Sequence, residues 1–361
     1  MKTIVFLSAT LYRSFFSAQA KTFGGVSRIY RLVRRLALSE KHHIVCFTGD
    51  FGQPPYIIKE GVSLVKSNID RSFRVISVYR DLLRHPSDIV VDFYASPRIL
   101  LLAILKKFHR RKFIFFTGSD MDVNGEYLNL SNRFFYFCYV TGLRHADRII
   151  CQTEAQALSL KKTYHLHGEV VLSPYLDITP PRHGNREFIL WAGRSIFYKG
   201  PLHFLDLSRA IPDAHFVMIS NPSDDPRFHE KLKKEAQAIS NLRFIEAVPF
   251  EEMPEYFAQA TFLVNTSDFE GVPNTFIEAA MEETPILSLN VDPNQMLSAH
   301  GAGICAMGSF QVLVKEAKRL IHDPERLDRL GKAARRYAVS NHDMDKAIQK
   351  IEAIFEDVMK R

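Results

Sequence analysis

The chain has 361 residues, a length at which two domains are expected because one hydrophobic core seldom extends through so many residues. Hydrophobic residues make up 46% of it and charged residues 24%, a composition that is typical of a globular protein and excludes a disordered or fibrous chain. The four cysteines lie far apart without a Cys-x-x-Cys pair, which argues against a disulfide framework or a zinc site and predicts a cytoplasmic, reducing location.

Charge is distributed unevenly along the chain. Residues 1–185 carry a net charge of +12, whereas the remainder carries −5, within an overall charge of +7. A strongly basic half favours an anionic partner, such as phosphate, lipid headgroups or nucleic acid. Because no nucleic-acid-binding module is recognisable, we expect no nucleic-acid partner and favour peripheral contact with an anionic membrane surface.

Two apolar stretches resemble targeting or membrane segments. The stretch at residues 3–8 imitates a signal peptide, but Arg13 interrupts the apolar core before the Ala18-Gln19-Ala20 sequence that would serve for cleavage. We therefore expect a buried first strand there. The longest apolar run, residues 99–105, ends at Lys106 and is too short to span a membrane.

Short apolar runs alternate with helical patterns throughout, which predicts an α/β fold with parallel sheets covered by helices. In the first half the predicted strands are residues 3–8, 43–48, 88–94, 112–117, 147–152 and 169–173, and the main predicted helices are 27–38, 97–108, 128–144 and 154–163. In the second half the predicted strands are residues 187–192, 214–219, 242–246, 261–265, 285–289 and 303–306. From Asp323 onward the pattern is helical, with Pro324 at the first helical position.

A proline-rich segment at residues 173–185 marks the expected domain boundary, because it coincides with the change in charge. We assign residues 1–178 to an N-terminal domain and residues 179–339 to a C-terminal domain. Doubly wound domains bind ligands at the carboxyl ends of their strands, so the expected site is a cleft between two facing Rossmann-like domains.

Two cations follow the first strand of the second half. Arg194 and Lys199 lie between strand 187–192 and Pro201, which is a favourable first residue for a helix. Two cations beside a helix N-terminus can neutralise a diphosphate without a metal ion. Taken alone, such a pair would more often be two solvated surface cations.

Residues 268–278 are the most informative part of the chain. They follow strand 261–265 and place Glu270 in a loop and Glu278 one turn into a helix predicted from Asn274 to about residue 282. The loop exposes backbone N–H groups at a helix N-terminus, which is a ready anion site. A nucleotide sugar, with hydroxyls at both ends and phosphates between them, fits this arrangement.

Together these motifs resemble a known family. Gly-Arg-x4-Lys-Gly at residues 193–200, followed by Glu-Gly-x-Pro-Asn-x3-Glu at residues 270–278, resembles family 4 of the retaining glycosyltransferases, which have the GT-B fold. The resemblance extends to a glycine loop at residues 23–26, to residues 146–154 and to residues 323–336. It implies two Rossmann-like domains facing across a cleft, with a C-terminal helix of about residues 340–361 returning to the N-terminal domain.

The resemblance also implies roles for the motif residues. Arg194 and Lys199 are expected to hold the donor diphosphate and to stabilise charge on the departing nucleotide. Glu270 is expected to contact hydroxyls of the donor sugar, and Glu278 to accept hydrogen bonds from the ribose. The further residues expected at the donor are Gly24, Gly25, Val248, Phe250, Gly271, Val272, Pro273, Asn274 and Thr275.

One departure from the family concerns a histidine that many members carry after strand 112–117. Asp120 is the expected substitute, with Ser119 as a second candidate, and Asp120 completes a predicted catalytic set with Arg194, Lys199 and Glu270. Asp120-Met121-Asp122 also matches the D-x-D pattern of metal-dependent transferases, but Asp343-Met344-Asp345 matches it too, so the pattern specifies little. We expect no metal and no cofactor.

The expected activity is retaining, metal-independent transfer of a sugar from a nucleotide-diphosphate donor to a hydroxyl of a glycan or lipid-linked acceptor, in bacterial surface polysaccharide synthesis. A GT-B-like epimerase or phosphorylase would keep the site and change the chemistry. A catalytically silent nucleotide-sugar-binding subunit would account for the missing histidine. A nicotinamide-dependent dehydrogenase is disfavoured, because no Gly-x-Gly-x-x-Gly follows a strand.

Basic side chains in the first half define the expected membrane surface. Helix 27–38 carries Arg28, Arg31 and Arg35 beside its apolar stripe. The apolar helix 97–108 ends in and is followed by a cluster of cations, Lys106-Lys107 and Arg110-Arg111-Lys112. The aromatic run at residues 134–137 is preceded by Arg133. For any single helix, a buried apolar stripe with a solvated basic back is the simpler interpretation. The charge of the whole half favours contact with anionic lipid on the inner face of the membrane.

Overall fold

The structure is a computed structural model of the chain. It describes residues 1–16, 25–69, 75–93, 95–172, 178–182, 184–222 and 225–360. The chain forms two compact units, the first from Met1–Tyr175 with Met344–Arg361 and the second from Leu176–Asp343. Gly24 and residues 173–177, which the sequence analysis placed in the glycine loop and at the domain boundary, lie outside the described residues.

In the described residues, the first unit is built on an eight-stranded sheet. Its strands are β1 (Lys2–Leu7), β2 (His42–Thr48), β3 (Tyr56–Lys59), β4 (Val62–Lys66), β5 (Ile89–Phe93), β6 (Lys112–Phe116), β7 (Arg148–Cys151) and β8 (Glu169–Val170). The order across the sheet is β3-β4-β2-β1-β5-β6-β7-β8. The β3–β4 pair is antiparallel and the other pairs are parallel, so this is a doubly wound sheet with a hairpin at one edge.

Helices pack on both faces of this sheet. Those before residue 175 are α1 (Leu11–Phe16), α2 (Gly25–Leu38), α3 (Val75–Arg84), α4 (Ile99–His109), α5 (Tyr127–Leu130), α6 (Arg133–Arg144) and α7 (Glu154–Tyr164). Successive strand residues point to opposite faces, so Ile4 of β1 packs with α1 and α2, whereas Val5 packs with α3, α4, α6 and α7. None of the described helices is long and apolar enough to cross a membrane.

The second unit is a six-stranded parallel sheet in the described residues. Its strands are β9 (Phe188–Arg194), β10 (Phe216–Asn221), β11 (Leu242–Ile245), β12 (Ala260–Asn265), β13 (Ile286–Ser288) and β14 (Gly303–Cys305). Its helices are α8 (Pro201–Ala210), α9 (Pro226–Gln237), α10 (Met253–Gln259), α11 (Asn274–Met281), α12 (Phe310–Ile321) and α13 (Pro324–Asn341). The strand order β11-β10-β9-β12-β13-β14 reverses between β9 and β12, which creates a topological switch point there.

The last helix, α14 (Met344–Lys360), belongs to the first unit. Its residues Ile351 and Phe355 are fully buried in the same core as α2. Lys41 Nζ, just before β2, donates a hydrogen bond to Glu352 of α14 at 2.6 Å. The C-terminal helix thus covers the face of the first sheet that α2 also covers.

The pairing of Lys41 with Glu352 makes stability depend on pH. Burial raises the pKa of the Glu352 carboxyl. Hydrogen bonds from Lys41 and Ser39 and the charge of Lys41 lower it by more, so the net pKa lies below the ordinary 4.5. A lowered folded-state pKa stabilises the fold above the unfolded pKa, and this contribution is lost as the pH falls through the folded value.

We therefore expect Glu352→Gln to lower the free energy of unfolding near neutral pH and to flatten its decline below pH 4.5, measured by urea denaturation across a pH series. Two parallel pH profiles would contradict this assignment.

Every predicted strand is present in the described residues, and most ends shift by one or two residues. The strand predicted at residues 169–173 is only Glu169–Val170, and residue 173 lies outside the described residues. The prediction of one helix at residues 128–144 is wrong, because Asn132 caps a new helix by accepting a hydrogen bond from Phe135 N–H at 2.8 Å, which separates α5 from α6. The sequence analysis missed β3, β4 and α3. The chain reverses direction between β3 and β4 at Glu60 and Gly61, which both have a positive φ. These two residues were the overlooked sequence signal for a β-hairpin.

Candidate functional site

The candidate site lies at the carboxyl edge of the second-unit sheet, at its switch point. β9 ends at Arg194 and its parallel neighbour β12 ends at Asn265. Residues that follow these two strands meet at one edge of the sheet, which is where open α/β sheets bind ligands. The loops after β9 and β12 carry Lys199 and Glu270.

Lys199 and Glu270 form an ion pair between these two loops. Lys199 Nζ contacts Glu270 Oε2, and the two side chains are only 20% and 12% exposed. The other carboxylate oxygen accepts hydrogen bonds from Ser267 Oγ at 2.6 Å and from Asn265 Nδ2 at 3.0 Å. Because three donors hold Glu270, the orientation of its carboxylate is fixed by the protein itself.

A buried threonine holds the Lys199 loop against β12. Trp191 Nε1 donates to Thr266 Oγ1 at 2.9 Å, and Thr266 Oγ1 donates to the carbonyl oxygen of Lys199 at 2.9 Å. Thr266 is fully buried, so water does not compete for these hydrogen bonds. The Asp268 N–H adds a further link by donating to the carbonyl oxygen of Tyr198 at 2.8 Å.

The sequence analysis missed Asn265, Thr266 and Ser267, which position Glu270 and Lys199. Their signal was a run of three polar residues at the end of an apolar strand. All three are buried, and their partners lie on the β9 loop or a few residues later in the chain.

Gly200 ends the Lys199 loop at a position that only glycine tolerates. Its φ is +60°, and a Cβ built there would lie 2.2 Å from the carbonyl oxygen of Thr266. We expect Gly200→Ala to destabilise the protein by more than about 1 kcal/mol, because left-handed strain and a backbone clash add together.

Thermal unfolding of Gly301→Ala provides the control, since Gly301 has φ +67° and nothing within 4 Å of its Cβ position. Equal losses in the two variants would mean that the close approach to Thr266 contributes nothing.

Arg194 is the last residue of β9, and a buried hydrogen-bond network holds the backbone that follows it. Ser195 N–H donates to the carbonyl oxygen of Asn221 at 2.9 Å, and Ser195 Oγ lies 2.8 Å from Ser220 Oγ and 2.6 Å from His229 Nδ1. This network is almost completely buried. Among the described residues no carboxylate forms an ion pair with Arg194, so its guanidinium charge is not neutralised at the sheet edge.

Helix α11 begins directly after the Glu270 loop. It buries Phe276, Ile277, Ala279, Ala280 and Met281, so Glu278 shares the partly exposed side with Asn274 and Thr275. The N-cap residue, Pro273, provides no side-chain cap for the first N–H groups of the helix. The positive end of α11 therefore points toward the same edge as Lys199 and Arg194.

The other residues predicted to contact the donor lie on several elements of the two units. Val248 is 8% exposed and follows β11, and Phe250 begins a 3-10 turn at Phe250–Glu252. Val272 and Pro273 are buried, whereas Gly271 is partly exposed. In the first unit, Gly25 is the first residue of α2.

Asp120 lies in the first unit, in a 3-10 turn after β6. Its carboxylate accepts a hydrogen bond from Gln156 Nε2 at 2.9 Å. Gln156 is 1% exposed and also accepts a hydrogen bond from Thr117 Oγ1 at 2.6 Å. Helix α7 therefore positions the Asp120 carboxylate, whose predicted part in catalysis stays a prediction.

Asp122, the second carboxylate of the D-x-D pattern, has a structural position. It is 3% exposed and accepts hydrogen bonds from the N–H groups of Ala95, Gly118 and Ser119 at 2.9, 2.6 and 2.8 Å. Burial raises the pKa of this carboxyl, although the N–H donors oppose the rise. In the described ranges, no group of three or more His, Cys, Asp and Glu side chains is arranged to hold a metal ion.

A buried ion pair at the end of β5 was not predicted either. Asp92 is fully buried, and its two carboxylate oxygens each accept a hydrogen bond of 2.7 Å from Arg98. Burial lowers the pKa of the Arg98 guanidinium, but Asp92 more than compensates and raises it. The pair fixes the start of α4 against the carboxyl edge of the first sheet.

The second unit matches a known protein family. Residues 178–337 match the family described as glycosyl transferases group 1, and this range contains Arg194, Lys199, Glu270 and Glu278. A curated relative, glycosyltransferase 1 domain-containing protein 1 of Xenopus tropicalis, is 27% identical over 184 residues, which are 51% of this chain and 48% of the relative. The chain spans about half the length of this curated relative.

Solved structures resemble the chain over its full length. Sucrose-phosphate synthase from Thermosynechococcus elongatus has a TM-score of 0.78 at 15% identity, with 100% of both chains covered. An E. coli structure described as trehalose-6-phosphate bound with UDP-2-fluoro glucose has a TM-score of 0.73 at 13% identity, covering 100% of this chain and 99% of the other. At such identities the likeness shows the fold, and it confirms the predicted α/β class with two Rossmann-like sheets.

Proposed function

We propose that this chain, which has the GT-B fold and whose residues 178–337 match the group 1 glycosyl transferases, transfers a sugar from a nucleotide-diphosphate donor to a hydroxyl acceptor. The GT-B glycosyltransferase fold that the two motifs indicated is confirmed, whereas membership of family 4 stays a prediction. The observation that carries the proposal is the Lys199–Glu270 ion pair at the switch point, at the sheet edge where β9 ends with Arg194. The UDP-2-fluoro glucose bound in the E. coli structure supports a nucleotide sugar as the donor.

The diphosphate of the donor would bind between the cations and the start of α11. A lysine ammonium has three N–H donors, so Lys199 can keep its contact with Glu270 and still donate to a phosphate oxygen. Arg194 supplies a second cation, and the N-terminus of α11, which begins at Asn274, supplies a partial positive charge from the helix dipole. This arrangement places the positive charge where the leaving group becomes more negative.

The two carboxylates would then bind the two ends of the donor. Glu278, one turn into α11, would accept hydrogen bonds from the ribose hydroxyls. Glu270, whose carboxylate is already oriented by Ser267 and Asn265, would accept hydrogen bonds from the sugar. A donor held at both ends keeps its anomeric carbon in one place, which lowers the entropic part of the barrier.

We propose that transfer proceeds with retention of configuration. As the bond between the anomeric carbon and the phosphate oxygen breaks, the acceptor oxygen forms its bond on the same face of the sugar. The acceptor proton passes to the departing phosphate oxygen, so no side-chain nucleophile is required. Glu270 is a poor nucleophile in this site, because Lys199, Ser267 and Asn265 already bind its carboxylate.

The acceptor is proposed to be a hydroxyl of a glycan or of a lipid-linked glycan, in the synthesis of a bacterial surface polysaccharide. The basic first half of the chain, with a net charge of +12 over residues 1–185, motivates the choice of an acceptor at an anionic membrane. Asp120, held by Gln156, is the residue that we propose for contact with the reacting sugars.

A thermal-shift screen with a panel of nucleotide sugars tests the donor class. We expect one nucleotide sugar to raise the melting temperature, since a ligand at about 100 times its Kd adds roughly 2.7 kcal/mol to the folded state. The matching nucleoside diphosphate should give a smaller shift, because it lacks the sugar that contacts Glu270. If no nucleotide sugar shifts the transition, the proposed donor site is wrong.

A further inference from the structure

One exposed surface of the first unit combines apolar and cationic side chains. We define the α3–α4 surface by Ile76, Arg80, Leu83 and Arg84 on α3 and by Lys107, Phe108 and Arg110 at the end of α4. Ile76 is 82% exposed, Phe108 68% and Leu83 38%. All four cations of the surface are exposed as well. Large aliphatic and aromatic side chains with this exposure are costly unless something covers them.

The side chains on α3 form one continuous stripe. Ile76, Arg80 and Leu83 are spaced at i, i+4 and i+7, so they lie on the same side of the helix. The opposite side of α3 buries Val78 and Leu82 in the core of the unit. Ile76 and Leu83 are therefore not part of the hydrophobic core.

Two contacts fix α3 beside the end of α4. Tyr79 Oη lies 3.0 Å from His109 Nε2. Arg111, which is 9% exposed, donates hydrogen bonds to the carbonyl oxygens of Leu82 and His85 at the end of α3. Arg111 was predicted among the membrane-facing cations, and this prediction is wrong, because the side chain is buried. The α3–α4 surface is therefore one rigid face built from two helices.

The charge of this face is predominantly positive. Arg80, Arg84, Lys107 and Arg110 are exposed, whereas the acidic residue on α3, Asp81, is engaged by Ser67 Oγ at 2.8 Å and lies 4.0 Å from Arg84. Phe134 and Phe137 of α6, which packs on the same side of the sheet, are 68% and 62% exposed. This side of the first unit thus presents cations interleaved with exposed apolar groups.

We propose that the α3–α4 surface docks on an anionic lipid bilayer. Ile76, Leu83 and Phe108 would enter the boundary between headgroups and acyl chains, while the four cations contact lipid phosphates. Nucleic acid is the weaker partner, because a phosphate backbone gives exposed isoleucine and leucine nothing to pack against. The inference concerns attachment alone and does not depend on the proposed sugar transfer.

Sedimentation with lipid vesicles tests the docking surface without any nucleotide sugar. The full chain is mixed with vesicles of phosphatidylcholine alone or of phosphatidylcholine with phosphatidylglycerol. We expect partition into the anionic vesicles only. Each cation at the membrane surface raises the partition coefficient roughly fivefold, so the double variant Arg80→Gln with Arg84→Gln should weaken partition by about 30-fold.

The matched control is Lys346→Gln with Lys350→Gln on α14. These lysines are exposed and have the same i, i+4 spacing, but α14 packs on the opposite face of the sheet. We expect this control to lose less than about threefold, because its charges lie more than a Debye length from the docked lipid. Ile76→Ser with Leu83→Ser should weaken partition as well, whereas Leu38→Ser on α2, which packs on the opposite face of the sheet, should not.

Three results would each overturn the proposal: no partition into anionic vesicles, equal partition into neutral ones, or equal losses in the α3 and α14 variants. Retention on DNA or RNA without binding to vesicles would assign the surface to nucleic acid instead. The thermal shift by nucleotide sugars should be the same in the α3 variants and the wild type, so failure of docking and failure of the donor site are observed separately.

Discussion

Replacing Lys199 with alanine is expected to lower the turnover number of sugar transfer by about 100- to 1000-fold, which is the usual effect of removing one donor that stabilises transition-state charge. Lys199 is the cation whose position is most completely determined, by its ion pair with Glu270 and by the hydrogen bond from Thr266 to its carbonyl oxygen. Its contribution would be largest as charge develops on the departing diphosphate. Release of nucleoside diphosphate, followed at saturating donor, measures this effect.

A matched control for Lys199→Ala lies in the same unit. Lys231 is 70% exposed on α9 and pairs only loosely with Glu235, at 3.9 Å. Its replacement by alanine should leave turnover within about twofold of the wild type, as is usual for a solvated surface pair. A Lys199→Ala protein that keeps its fold and transfers sugar at the rate of the Lys231→Ala protein would remove Lys199 from the mechanism.

Glu278→Ala is expected to weaken binding of the nucleotide sugar by about 10- to 100-fold, since hydrogen bonds to a charged group contribute roughly 1.5–3 kcal/mol. Glu278 lies on the partly exposed side of α11, one turn beyond the first residues of the helix. If it binds the ribose, donor affinity falls and the thermal shift given by the best nucleotide sugar largely disappears. Isothermal titration of that ligand measures the loss directly.

The control for this variant is Glu230→Ala on α9, an exposed helical carboxylate of the same unit. It should bind the donor as the wild type does. Inorganic pyrophosphate should bind both variants with the same affinity, because its proposed contacts are with Arg194, Lys199 and the start of α11. An undiminished thermal shift in Glu278→Ala would refute the ribose contact.

Much of the fold was accessible from the sequence because it depends on local patterns. The strands of both sheets are short apolar runs between helical segments, and all those predicted are present. The helix starts at Pro201 and Pro324 followed from the preference of proline for the first helical position. The two motifs also placed Lys199 and Glu270 on neighbouring loops, where the structure pairs them.

The parts that could not be predicted depend on contacts between distant residues. The hydrogen bonds from Trp191 to Thr266 and from Thr266 to Lys199 join positions 75 and 67 residues apart. They require the register of β9 against β12, which hydrophobic periodicity does not contain. The need for glycine at position 200 likewise arises from the approach of the Thr266 carbonyl oxygen.

Short elements were missed for another reason. β3 is an edge strand of four residues, three of them exposed, so its alternation is too brief to identify. Helix α3 was missed although it has an apolar side, because it also exposes Ile76 and Leu83. The residues that obscured the pattern are the ones that now suggest a docking surface.

The alternative activities differ in their products. An epimerase would convert one nucleotide sugar into another, a phosphorylase would release a sugar phosphate, and a silent subunit would bind the donor and leave it unchanged. All three could use the Lys199–Glu270 pair and the start of α11 to bind the donor. Binding measurements therefore test the site, whereas only the products test the reaction.

The most direct test of sugar transfer is proton NMR of the best-binding nucleotide sugar, incubated with the protein and a mixture of glycan and glycolipid acceptors. The account predicts that the donor signal declines while nucleoside diphosphate and a new glycoside appear in equal amounts. The anomeric coupling of the glycoside should match that of the donor, because configuration is retained. An inverted anomer, an isomerised donor, a sugar phosphate or an unchanged donor would each contradict it.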